Sequence, residues 1–386
     1  MTTKVLGQYM TVAAELQDFV YEKISNTGTI LEPSFGKGHL LKKILDTNPN
    51  RPIVCCELDQ ALKPIVTFNE HQKVIYGDFL KHEFGERFNT IIGNPPYVKQ
   101  TSGNLYLQFI EKCYRLLHTD GELIFIVPSD FIRLTSAAKL IEEMYNTGTF
   151  TNWFFPHDEH LFEGASIDVV VFRYQKSETA IHGQTPTPVI VNGEQMFCNM
   201  RNGILTFSKN ITGGIPIADK FHVYVGLVSG KEDVFRVPFG TMNVLTDKDT
   251  IRPYIFTSSF PTSNSEINAH LLANKATLME RKIRKFTESN WFEWGAPRNL
   301  TAMNESAGQP CIYIRNLTRK SEVAFKGTVQ PFGGALLCLI PKTAMSQQID
   351  SVVLYLNSAE FKQDYIFSGR FKIGHKQICN VLLAEN

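Results

Sequence analysis

Paired cysteines are missing from this 386-residue chain. The seven present (Cys55, Cys56, Cys113, Cys198, Cys311, Cys338 and Cys379) are odd in number and scattered, with no C-x-x-C pair. That argues against a disulfide framework or a zinc site and for idle thiols in a reducing compartment. Long apolar runs are missing too: none reaches the ~20 residues of a membrane helix. Met1 to Met10 lacks the basic-then-apolar order of a signal peptide, so the cytoplasm is the expected location, without a membrane. A strong charge of either sign is also lacking, the net being +1. No internal repeat or low-complexity tract is visible.

What is present reads as an ordinary globular enzyme, with 43% hydrophobic and 20% charged residues in a chain long enough for two domains. The near-zero net charge hides an asymmetry. Residues 1–176 carry −4 and the remainder +5, so the second part is compatible with a phosphate-binding face. Through the first part, short apolar runs alternate with helical spacing. The runs are Thr29–Leu31, Ile53–Cys56, Val74–Tyr76, Thr90–Ile92, Leu123–Val127 and Ile167–Tyr174. Helical spacing shows in Leu40-Leu41-Ile44-Leu45 and in Leu105-Phe109-Cys113-Leu116-Leu117. This alternation predicts a doubly wound, mostly parallel α/β sheet. After Tyr174 the texture turns polar, then hairpin-like. A boundary near 176 follows, with residues 1–176 as one domain and 177–386 as a second, mixed α+β one.

Four segments at expected strand ends carry chemistry. Thr29-Ile-Leu-Glu-Pro-Ser-Phe-Gly-Lys-Gly leads a strand ending at Glu32 into a turn bearing Gly36 and Gly38 and then a helix start, a geometry suited to close ligand approach. Glu57 ends the next strand, where an acid can accept ribose hydroxyls. In Tyr76-Gly-Asp78-Phe79, Asp78 can accept from an adenine amino group while Phe79 covers the ring. Ile91-Ile-Gly-Asn94-Pro95-Pro96-Tyr97 is the most specific. Two prolines fix an extended segment, leaving the Asn94 side-chain carbonyl, the Pro95 carbonyl and an aromatic ring to project. Two acceptors converging on one point suit a planar –NH2 group and free its lone pair for attack on a methyl sulfonium; Tyr97 can stack on the attached ring.

The Asn94-Pro95-Pro96-Tyr97 segment resembles the catalytic motif of adenine-N6 DNA methyltransferases, in the gamma-class, TaqI-like order of restriction-modification systems. The resemblance implies a class I S-adenosylmethionine-dependent methyltransferase domain followed by a DNA target-recognition domain. It also implies that Thr11 in Gly7-Gln-Tyr-Met-Thr11 touches the methionine part of S-adenosylmethionine. Glu32, Gly36 and Gly38 correspond to its first cofactor motif, Glu57 and Leu58 to the ribose and adenine contacts, and Asp78-Phe79 to the adenine clamp. Phe162, in Leu161-Phe162-Glu-Gly-Ala-Ser, corresponds to a ring that sandwiches a flipped adenine with Tyr97. The looser patterns Val225-Gly226 to Gly230, Val234-Phe235, Arg252-Pro253-Tyr254, Trp291-Phe292, Tyr313-Ile-Arg315 and Leu356-Asn357-Ser358 resemble the recognition domain. Val12 departs from the family's usual proline, and Phe35 and Lys37 replace its usual small or polar residues.

The implied partners are double-stranded DNA and a cognate restriction endonuclease that forms no stable complex. The enzyme would be a bacterial monomer, nucleoid-associated, and no metal is implied. Two other substrates pose the same chemical problem: adenine in structured RNA and glutamine in protein. A non-catalytic DNA-binding relic is the remaining reading. Of the 28 phenylalanines most must be core, including Phe154 and Phe155. Arg281-Lys-Ile-Arg-Lys285 reads as a solvated helix face or as a DNA contact.

Overall fold

The computed structural model describes residues 10–100, 103–156, 161–162, 167–177, 187–201, 203–209, 214–343, 346–367 and 369–384. In the first half, strands β1 (Ile30–Glu32), β2 (Ile53–Glu57), β3 (Gln72–Tyr76), β4 (Phe88–Gly93), β5 (Leu117–Pro128), β6 (Gly148–Phe154) and β7 (Val169–Lys176) form one sheet in the order β3-β2-β1-β4-β5-β7-β6. All run parallel except β7, which is antiparallel to both neighbours. Every residue of β1 and β2 is buried, as is Leu123–Val127 of β5, as expected of a sheet covered on both faces. Helix α1 (Ala14–Lys23) and α2 (His39–Thr47), through Leu40, Leu41, Ile44 and Leu45, pack into the core on one face. In α3 (Leu105–Leu116), Tyr106, Phe109, Ile110, Cys113 and Tyr114 make one buried stripe at helical spacing.

The predicted doubly wound sheet is therefore present, with one strand that the run-by-run reading missed. Gly148-Thr-Phe-Thr-Asn-Trp-Phe forms β6, and a register shift between Phe150 and Asn152 lets the buried Phe150 and Trp153 rings meet with centroids 5.2 Å apart. The domain boundary also moves. The first compact unit extends to Ile211 and the second begins at Thr212, rather than at 176/177. The reason is β-pairing: β8 (Thr187–Val191), β9 (Glu194–Arg201) and β10 (Ile204–Ser208) extend the same sheet, β8 lying parallel to β6. The polar stretch after Tyr174 marks a connection inside the unit, not its end.

A buried ion pair ties the amino-terminal ends of the strands. The Glu122 carboxylate on β5, with no exposed side-chain surface, accepts from Arg173 Nε and Nη2 on β7 at 3.0 and 2.8 Å. It also accepts from Ser25 N and Oγ, Asn26 N and Thr90 Oγ1 at 2.8–3.0 Å. Burial alone would raise its pKa; the hydrogen bonds from Asn26 and Ser25, then the Arg173 charge, outweigh that and hold it below the usual carboxylate range.

In the second unit, β11 (Phe221–Val225), β14 (Pro310–Arg315), β15 (Ala324–Thr328) and β16 (Leu336–Pro341) form an antiparallel sheet in the order β11-β16-β14-β15. Strands β12 (Met242–Asp247) and β13 (Thr250–Tyr254) form a hairpin, α4 spans Ser265–Ala273, and α5 (Ser346–Asn357) packs on β14 and β15. Trp291, Phe292, Tyr313 and Leu356 are all buried. Arg281 to Lys285 is not helical, and Arg281 is no surface cation. It is 7% exposed, lies 3.8 Å over the Phe286 ring and donates to the carbonyls of Leu278, Ser229, Glu293 and Trp291. Burial, with Arg284 nearby, lowers its pKa to about 10. Arg284 pairs with Glu293, while Lys282 and Lys285 are exposed. Among the described residues no helix is long and apolar enough to cross a membrane.

Glu122→Ala leaves Arg173 buried without its partner, which costs about 3–5 kcal/mol in such settings. Urea denaturation should register that loss; a change under 1 kcal/mol would mean the clamp contributes little.

Candidate functional site

The chain lays down β1, moves outward to β3, then returns to place β4 on the other side of β1. That reversal opens a crevice at the carboxyl ends of β1 and β4, where doubly wound sheets hold ligands. A cavity of 430 Å³ lies there, lined by Thr11, Glu32, Gly36, Glu57, Leu58, Asp78, Phe79, Asn94 and Pro96, among others. Four of the expected site residues do not line it: Gly38, Pro95, Tyr97 and Phe162.

The turn after β1 is built by left-handed glycines. Gly36 has φ +56° and Gly38 φ +83°, and a Cβ on Gly38 would come within 2.8 Å of Val66. Glu57 holds this turn: its carboxylate accepts from Gly36 N and Asp59 N, both at 2.8 Å. Each oxygen keeps a second lone pair for the cavity. Leu58 is 58% exposed at the cavity wall. Asp78 caps the turn after β3, its Oδ1 accepting from Leu80 N at 3.0 Å, and buried Phe79 packs against Phe109 at 5.1 Å.

Glu32 differs from Glu57. It is 2% exposed, and its Oε2 has no hydrogen-bond partner among the described residues. Burial, then the charge on Glu57, pushes its pKa up to about 8. A buried, unsatisfied carboxyl at a cavity wall is a site for a cationic group.

At the end of β4, Asn94 Nδ2 donates to Thr11 Oγ1 at 3.0 Å. The side-chain carbonyl therefore turns the other way, where the Tyr97 hydroxyl donates to it and also lies 3.1 Å from the Ile126 carbonyl. Tyr97 meets Phe162 edge to face, with centroids 6.2 Å apart at 83°, and Tyr106 likewise at 6.3 Å and 84°. The two rings expected to stand as parallel walls are thus in T-shaped contact, the geometry that ring quadrupoles favour when the rings pack directly on one another. Gly7 to Tyr9 and Glu163 to Ser166 lie outside the described residues.

Three residues not singled out from the sequence belong here. Met10 lines the cavity beside Gly36. His39 opens α2 at the cavity, its pKa lowered by burial and then by Lys37. Lys112 reaches the turn of residues 78–82 from α3. Lys112 is half-buried at the edge of that helix's buried stripe, next to Cys113 and three residues after Phe109.

Residues 37–162 match the Eco57I restriction-modification methylase family. That stretch holds Gly38, Glu57, Asp78, Phe79 and Asn94 to Tyr97, and it ends on Phe162. The type II methyltransferase M.TthHB8I of Thermus thermophilus is 26% identical over 51% of this chain and 53% of its own length. Modification methylase CviBIII of Paramecium bursaria Chlorella virus NC1A is 36% identical over 31% of this chain and 36% of its own. The chain therefore spans about half, or less, of the length of these relatives. A DrdV–DNA complex solved by cryo-electron microscopy shares the fold over 87% of this chain and 49% of its own, with a TM-score of 0.50 at 10% identity.

The methylase match points to S-adenosylmethionine as the cofactor, and the residues of this cavity would fit it. Glu32 would hold the α-ammonium of the methionine part, while Glu57, Leu58, Asp78 and Phe79 would offer acceptors and apolar wall to an adenosine.

The raised Glu32 pKa has two pH signatures. Without ligand, the folded protein keeps a proton between the ordinary value of 4.5 and about 8 that the unfolded chain releases. Stability should fall as pH rises through that window, and Glu32→Gln should flatten the slope. Binding of an ammonium-bearing ligand at pH 7 should expel that proton. Calorimetry in buffers of different ionisation enthalpy should detect its release from the wild type and not from Glu32→Gln; equal proton counts would remove Glu32 from the ammonium site.

Proposed function

We propose that this chain methylates the exocyclic N6 amine of adenine in double-stranded DNA. The observation that carries the reading is the pose of Asn94. Its amide nitrogen is engaged by Thr11, its carbonyl accepts from the Tyr97 hydroxyl, and the residue itself lines the cavity. S-adenosylmethionine supplies an electrophilic methyl group when bound. Asn94 and the Pro95 carbonyl accept the two hydrogens of the amine, which favours its pyramidal form and exposes the nitrogen lone pair. No side chain need act as a strong base before attack, so positioning is the main contribution. The proton leaves afterwards to water. The names of the relatives, type II methyltransferases and a modification methylase, support DNA over RNA or protein.

Stacking hides the amine inside a duplex, so the base must swing out at a cost of a few kcal/mol. Tyr97 and Phe162 are the proposed aromatic faces, and because Phe162 is only 3% exposed and in edge-to-face contact with Tyr97, the two rings must part to receive it. To do so Tyr97 releases Asn94, and the adenine amine takes over the acceptor that the tyrosine hydroxyl holds. The second unit is the proposed target-recognition domain, with Lys282 and Lys285 as candidate phosphate contacts in place of Arg281.

Incubation with labelled cofactor and duplex DNA, followed by nucleoside chromatography, should yield N6-methyladenine; N4-methylcytosine as the product would overturn the adenine assignment. Asn94→Ala should lower kcat by about 10²–10³-fold while the cofactor still binds. Tyr97→Phe keeps the stacking face, whereas Tyr97→Ala forfeits a base stack of roughly 1–3 kcal/mol. With 2-aminopurine at the target position, the alanine variant should therefore lose the fluorescence change on binding and the phenylalanine variant should retain it.

DNA affinity should fall steeply with salt as phosphates are neutralised. Removing the charges of Lys282 and Lys285 should flatten that dependence. An affinity indifferent to salt would count against the whole nucleic-acid reading.

A further inference from the structure

We propose that Lys112 is a positioning residue for the adenine of the cofactor, an inference that rests on reading the cavity as the S-adenosylmethionine site. Residues 78–82 form one tight turn after β3. The Asp78 carbonyl accepts from Lys81 N and His82 N at 3.0 and 3.1 Å, and the Asp78 side chain caps the start of the turn through Leu80 N. At its far end the carbonyls of Phe79, Leu80 and His82 converge on one cation. Lys112 Nζ donates to Phe79 O at 2.8 Å, to Leu80 O at 3.1 Å and to His82 O. An ammonium has three donors, and this arrangement uses all of them.

The same ammonium lies 5.0 Å from the Phe79 ring centre and 5.6 Å from that of Phe84. A cation against those rings and at the carbonyl end of a turn fixes both backbone and ring. Capped by Asp78 at one end and Lys112 at the other, the turn has little freedom. That sets Asp78 Oδ2, 3.7 Å from the exposed Lys81 ammonium, and the Phe79 ring at the cavity wall, where on this reading they recognise the base. Lys112 itself does not line the cavity; it acts through the turn. Its own footing is α3, whose buried neighbours Phe109 and Cys113 lock the helix face that carries it.

A role in positioning predicts a loss of selectivity as well as of affinity. Asp78 accepts from the 6-amino group of adenine but repels a 6-carbonyl, so the full chain should prefer S-adenosylhomocysteine over S-inosylhomocysteine. In calorimetric titrations, Lys112→Met should bind S-adenosylhomocysteine about tenfold more weakly, as expected for lost charge-assisted hydrogen bonds. It should also bring the two ligands toward parity. In turnover, the cofactor KM should rise while kcat at saturation holds. Lys112→Gln, which keeps one donor chain, should fall between wild type and Lys112→Met in selectivity and serves alone if the methionine variant does not fold. An unchanged preference in these variants, whether affinity for both ligands drops equally or not at all, overturns the proposal and leaves Lys112 a stabiliser of the turn. A wild-type chain that binds neither ligand overturns the cofactor reading itself and this inference with it.

Discussion

Six hydrogen bonds converge on the Glu122 carboxylate, from the loop ahead of β1, from β4 and from the antiparallel strand β7. These elements come from sequence positions as far apart as Ser25 and Arg173, and the interaction lies at the amino-terminal end of the sheet. Strand register is thereby pinned at one end by a buried pair that tolerates no slip, since any displacement would strand a charge without water. The opposite end is then free to be made of loops. Left-handed glycines, a double-proline segment and a capped turn all sit at the carboxyl ends, where backbone shape serves a ligand rather than the fold.

Within that open end, two acids close together are given unequal surroundings. Glu57 has two amide donors, from Gly36 and Asp59. Glu32 has an oxygen with no donor among the described residues and lies, buried, in the field of Glu57, so its pKa is pushed up to about 8. Splitting a pair of carboxyls in this way lets one shape the backbone while the other waits for a cation. A cavity with one satisfied acid and one unsatisfied acid is suited to a ligand with hydroxyls at one end and an ammonium at the other, which is the polarity of S-adenosylmethionine.

How much of this could be read from the sequence depends on the range over which each signal acts. The strands, the glycine turn, Glu57 at the tip of β2 and the Asn94-Pro-Pro-Tyr97 segment are local patterns, and local patterns survive in one dimension. Lys112 was not legible because its partners are carbonyls some 30 residues away, and a carbonyl leaves no mark on a sequence. Arg281 misled for the related reason that four carbonyls and two rings can bury a guanidinium as completely as an acid can, while the neighbouring Lys282 and Lys285 give the run the look of a solvated face. The domain boundary slipped because a polar connection looks the same whether the chain is leaving a sheet or about to add three strands to it.

Tyr97 brings these threads to the chemistry. Its hydroxyl donates to the Asn94 carbonyl and its ring stands edge-on to Phe162 and Tyr106. On the proposed function, an incoming adenine amine makes the same bond that the tyrosine gives up, so the exchange at Asn94 is close to neutral, within the ~1 kcal/mol that a hydrogen bond contributes net. What tips the balance is then the stacking of the base on the rings, which the tyrosine alone cannot supply to itself. Thr11 adds direction to this exchange. By holding the amide nitrogen of Asn94 it keeps the carbonyl, not the NH2, toward the entering group, so a hydrogen-bond donor is welcomed and an acceptor such as a base carbonyl is refused. On the proposed function, selectivity for an amine would reside in which way one carboxamide faces, and that is set by a hydroxyl 83 residues earlier in the chain.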